Sequence, residues 1–130
     1  MNTDNVALSP QLLTATEALA VNLRQSEPFV LYHQARDLLE ADAQAQALRR
    51  QLSEAQADVR ARSGQARGEV TQHDVDQLRA LQRMAQANRV IMDYVRTQQF
   101  AIDYWREVNR DVSELLGVDF ASLARRPGCC

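Results

Sequence analysis

Several residue types are scarce in this 130-residue chain, and each scarcity excludes something. Cysteine occurs twice, as Cys129 and Cys130, the last two residues. Adjacent terminal cysteines cannot staple a fold, so a disulfide-framed secreted domain is excluded and the cytoplasm is the expected location. Lysine is absent, and all 15 basic residues are arginine. With abundant alanine, that usage points to a GC-rich bacterial genome. Glycine and proline number only four and three, which leaves room for long uninterrupted helices. Aromatics make up 5% of the chain, too few for a strand-rich core. No run approaches the ~20 apolar residues that span a bilayer, so no membrane insertion is expected. The N-terminal residues lack a basic stretch followed by an apolar one and do not read as a secretory signal.

What is present favours helix. Alanine supplies 19 residues of an apolar fraction of 45%, and glutamine recurs throughout. The net charge of −2 argues against a general binder of nucleic acid or anionic membranes. The charge is uneven: residues 1–45 carry two Arg and six acids, residues 46–89 eight Arg and five acids, and residues 90–130 five Arg and six acids. The middle of the chain is therefore mildly basic on an acidic body.

The apolar spacing predicts an all-α fold: a long antiparallel helical hairpin with a short N-terminal helix packed at its base. Residues 1–8 read as a flexible arm. Ser9 caps a first helix with Pro10 at its first position, running to about residue 25. Ser26, Glu27 and Pro28 restart the chain, and no Pro or Gly follows until Gly64, predicting a helix over 27–62. Its stripe holds Phe29, Tyr32, Leu39, Leu48 and Leu52. The stretch Ser63–Thr71 is the loop, and Thr71 with Asp74 forms a capping-box-like start. A third helix over 72–116 carries the seam Leu78, Leu81, Asn88, Ile91, Val95, Gln98, Ile102 and Trp105. Gly117 ends it, a short turn follows over 119–124, and residues 125–130 form a cysteine-containing tail. Phe29, Tyr32, Phe100, Ile102, Tyr104 and Trp105 are expected to gather in a three-helix core at the base.

Candidate chemistry is sparse. His33 and His73 are far apart and in no metal-ligand spacing, and no nucleophile pairs with a base, so the chain does not read as an enzyme. Asn88 and Gln98 interrupt an apolar seam and read as polar residues that fix helix register. Arg49, Arg50, Arg60, Arg62, Arg67, Arg79, Arg83 and Arg89 make the hairpin tip basic. No aromatic lies between Tyr32 and Tyr94 to stack a base, so an acidic protein partner fits better than RNA. A two-helix distal arm buries little surface, which predicts pairing with a second chain.

Ser26, Glu27, Tyr32, Ala35, Leu39, Asp42, Leu48 and Gln56, followed by Asn88, Ile91, Tyr94 and Gln98, resemble in order the motifs of the YlbF/YmcA family. The resemblance spans roughly residues 12–117. It implies a regulatory, non-catalytic protein that associates with relatives and with further partners. Relatives influence competence, biofilm formation and sporulation and are linked to the endoribonuclease RNase Y. Some bind iron–sulfur clusters through cysteines, which makes Cys129 and Cys130 candidate ligands of a shared cluster and an iron or redox sensor the alternative function. A homodimer, or a heteromer with a relative, is the expected assembly, with no direct nucleic-acid partner.

Overall fold

A computed structural model describes residues 7–64 and 68–123, and among them there is helix and no strand. Six helices follow in order: α1 Pro10–Gln25, α2 Glu27–Ala41, α3 Ala43–Ser63, α4 Gln72–Ala87, α5 Arg89–Leu116 and α6 Phe120–Leu123. The chain turns back between α3 and α4, so that α3 packs on α4 and α2 packs on α5. The expected hairpin is there, with α1 at its base and α6 folded against the end of α5.

Each arm of the hairpin differs from the sequence expectation in one way: it is broken by a single residue. The predicted 27–62 helix stops at Asp42, whose backbone is extended at φ −91, ψ 102. Its Oδ1 accepts the Ala45 amide at 2.8 Å, while Gln46 Nε2 donates to the freed Leu39 carbonyl at 2.9 Å. The predicted 72–116 helix stops at Asn88, at φ −83, ψ 114. There Oδ1 accepts the Ile91 amide at 3.0 Å. Both side chains satisfy an amide at a new helix start, which is what makes a break without Pro or Gly tolerable. Asn88 is therefore an N-cap and not a register-setting amide in a continuous seam. The same one-residue joint separates α1 from α2 at Ser26, but there the hydroxyl donates to the Leu23 carbonyl and caps no amide.

The breaks also reset helix phase. At 3.6 residues per turn, an uninterrupted helix would continue the Leu78–Leu81–Ala85 face through Met92, Arg96, Gln99 and Asp103. That would press charge against α2. With Asn88 out of the helix, Ile91 and Ala101 are buried and Tyr94, Thr97, Tyr104 and Val108 half-buried instead. The core cluster sits where the four long segments meet: Leu39, Ala45, Leu48, Ala85 and Ile91, with Leu52, Leu81, Val90 and Tyr94 packed against it. Among the described residues only Leu39, at 1% exposure, is a large side chain almost fully enclosed.

At the distal end the loop is clamped. Asp74 Oδ2 accepts from the Thr71 amide (3.0 Å), the Thr71 hydroxyl (2.8 Å) and Arg62 Nη1 (2.7 Å), while the Asp74 amide donates back to Thr71 Oγ1. The capping box anticipated from sequence is complete and gains an ion pair from α3. Hydrogen bonds from Thr71 foremost, helped by Arg62, hold the Asp74 carboxyl below the ordinary carboxylate range. A depressed pKa means the clamp is fully present above the ordinary carboxylate value and is lost as pH falls through the lower, folded value. In an NMR titration the Thr71 amide should therefore shift with a midpoint below that of an ordinary aspartate. A midpoint at or above the ordinary value would show that the box is not formed in solution.

Candidate interaction surface

Few apolar side chains are buried for a chain of this size. Among the described residues the buried apolar side chains are eight, and four of these are alanine. On α5 the positions Val95, Ile102 and Trp105 are 45%, 40% and 43% exposed. Gln98, on the same stripe, is exposed too. These four were expected to continue the buried seam. That stripe lies roughly a quarter-turn around α5 from the Tyr94, Thr97 and Ala101 side that packs on α2, so it faces outward. At the level of Leu39 the inward contacts are Val90, Ile91 and Tyr94, not Val95.

The remaining predicted seam positions lie inside the hairpin. Leu39, Leu48 and Ile91 are buried, and Phe29, Tyr32, Leu52, Leu78, Leu81 and Asn88 are half-buried. The basal three-helix core does not close. Phe100, Ile102 and Trp105 stay exposed, because α1 packs on α2 and does not close over α5, and Leu23 is its one buried residue. What α1 makes with α2 and α5 is an open cleft of about 420 Å³, lined by Thr16, Leu19, Ala20, Leu23, Arg24, Phe29 and Trp105.

A second cleft, of about 380 Å³, lies up the same face of α5 and is lined by Leu52, Gln82, Ala85, Gln86, Ile91, Met92 and Val95. Val95 lines one cleft and Trp105 the other, and with exposed Ile102 between them at helical spacing they make an apolar strip with a cleft at either end, a groove about 21 Å long from Ile91 to Trp105. Tyr32 of α2 and Tyr94 of α5 pair across the helix contact, with hydroxyls 3.3 Å apart and ring centroids at 5.6 Å. The Tyr94 hydroxyl is pushed above its ordinary pKa, first by its hydrogen bond with Tyr32 and then by burial, while Arg49 and Arg36 act the other way. Arg49 lies over the Tyr94 ring at 5.7 Å, a cation–π contact. Tyrosine, tryptophan and arginine around an apolar strip is the composition of a protein-binding hot spot.

Among the described residues nothing comparable gathers for chemistry. His33 is packed edge-on against Phe29 and Tyr32, with ring centroids at 4.4 and 5.6 Å, and His73 is exposed at the start of α4. Among the described residues no group of three His, Cys, Asp or Glu could hold a metal. Cys129 and Cys130 lie outside the described residues.

Comparison with known proteins decides the family. Residues 12–116 match the family described as control of competence regulator ComK, YlbF/YmcA. The chain belongs to the YlbF/YmcA family. No curated protein sequence and no solved structure matches it. The matched range begins in α1 and ends with α5, so it takes in both breaks and the whole groove. Several residues that carried the YlbF/YmcA resemblance meet around the joints: Asp42 and Asn88 cap them, Leu39, Leu48 and Ile91 fill the core, and Tyr32 pairs with Tyr94. The role the family description carries is regulatory. Among the described residues, no helix is long and apolar enough to cross a membrane.

Proposed function

We propose that this chain is a non-catalytic regulatory adaptor of the cytoplasm that acts by helix-on-helix association. It pairs with a second copy of itself or with a relative, and it works within a complex of the kind that links its family to RNase Y and to competence, biofilm and sporulation control. The observation that carries this reading is the outward-facing stripe Val95, Ile102 and Trp105, left uncovered on a protein with a small core. Large contiguous apolar surface is rare on soluble monomers and marks a binding face. A specific interface buries roughly 800 Å² per partner, an area that a groove of this length flanked by α1 can supply.

Light scattering coupled to size exclusion tests the pairing. The wild-type chain is expected at about twice 14.7 kDa at high micromolar concentration, or in a stoichiometric complex when a relative is co-expressed. Ile102→Asp places a charge in the middle of the stripe and should return the chain to 14.7 kDa while leaving its circular dichroism helical. A wild-type monomer that also fails to capture a relative would overturn the proposal.

A further inference from the structure

The described residues that line the two clefts carry charge of one sign. Of them, the only charged one is Arg24. Arg49, three residues before the cleft-lining Leu52 and therefore on the same side of α3, adds a second positive charge over Tyr94. Neither arginine has a carboxylate partner among the described residues, whereas Arg36, Arg62, Arg89, Arg96, Arg106 and Arg110 each do. Asp103, two residues before Trp105 on α5, is already held by Gln99 at 2.9 Å and Arg106 at 3.5 Å. The opposite face of the α2–α5 pair is different. Its cleft is lined by Leu31, Leu38 and Val90 but carries Asp93 and Arg96 side by side, linked at 3.9 Å.

From this arrangement we infer that the groove receives an amphipathic helix of another protein, with an apolar stripe and acidic residues along its flanks. The inference deepens the adaptor reading proposed above and rests on it, with the partner helix displacing a second copy from the same stripe. The length fits: about 21 Å of groove accommodates roughly four helical turns. The stripe residues Val95, Ile102 and Trp105 take the apolar face, as in other helix-in-groove complexes. Arg24 at the basal end and Arg49 towards the distal end take carboxylates of the flanks. Unpaired guanidinium groups beside an apolar strip reward a carboxylate and penalise a second cation.

Two fluorescein-labelled probe peptides of about 20 residues test this without any mutation of the protein. Both carry leucine at heptad a and d positions; one has glutamate on its flanks and the other lysine in the same places. Anisotropy should show the glutamate peptide binding the full chain at least tenfold more tightly, with the difference shrinking as salt is raised. Arg24→Glu combined with Arg49→Glu should reverse the preference. Arg79→Glu, on the exposed side of α4, should leave it unchanged. Equal binding of the two peptides, or binding of neither, overturns the inference. Light scattering on the same samples keeps the two ideas apart. A chain that self-associates through Ile102 but does not discriminate between the peptides retains the proposed function and loses the acidic partner. Self-association that no peptide competes with assigns the groove to a second copy.

Discussion

Leu39→Ala should lower the stability of this protein by roughly 3 kcal/mol, the middle of the range for truncating an enclosed leucine. The reason is position. Leu39 is 1% exposed and sits at the end of α2, where it meets Ala45 and Leu48 of α3, Ala85 of α4 and Ile91 of α5. Removing it opens a cavity at the one point where all four long segments pack together. Total stabilities are of order 5–15 kcal/mol, so the loss is a substantial share. Thermal unfolding followed by circular dichroism should show a midpoint lower by on the order of 10 °C. Leu38→Ala is the control. Leu38 is next in sequence and 66% exposed, so its truncation should change the midpoint little. Equal effects from the two would mean that the core is not organised around Leu39.

Asn88→Leu separates two readings of one residue. If Asn88 were a buried amide in a continuous helical seam, leucine would extend the seam and stabilise the protein, as removing a polar residue from a coiled-coil core does. As the cap of α5, Asn88 holds the Ile91 amide at 3.0 Å, and leucine cannot replace that acceptor. The loss should be about 1 kcal/mol for the cap. A further cost arises if α4 and α5 fuse, because the fused helix turns Arg96, Gln99 and Asp103 towards α2. Asn88→Asp and Asn88→Ser keep a capping oxygen and should remain near wild type. Denaturant melts of the four proteins rank them: wild type, Asp and Ser together, and leucine below. A stabilised leucine variant would show that the two helices run through.

The helical character of the chain was legible because it is written in local terms. Ser9 with Pro10, Thr71 with Asp74, and Gly117 each act within a few residues of themselves, and each ends or starts a helix where its chemistry says it should. The hairpin followed from the spacing of leucine and alanine on either side of the loop. The two breaks were harder to see, although a signal existed. Asp42 and Asn88 are good capping residues lying on an apolar stripe, and the stripe steps by three and three again around them, from Leu39 to Ala45 and from Ala85 to Ile91. Successive steps of three overwind a helical seam and cannot be sustained without a correction. A polar residue at such a point reads as well as a register device as it does as a cap, and the two differ only in whether the backbone there is helical.

By itself, then, the sequence determined that this protein is helical, where its hairpin turns, which family motifs it carries and that catalytic groupings are not concentrated in any one stretch. Those features depend on residue type, local spacing and capping, which act over one or two turns of chain. Only the tertiary structure decided that Val95, Ile102 and Trp105 face outward while Tyr94, Thr97 and Ala101 face α2. It also decided that Arg49 of α3 comes to lie over Tyr94 of α5, 45 residues away in sequence. The inward turn of Tyr94, Thr97 and Ala101, and with it the Arg49 contact, follows from a rotation introduced at one non-helical residue and propagated rigidly along α5. Periodicity can say that a helix has an apolar stripe, but the stripe's direction is set by how the preceding segment packs.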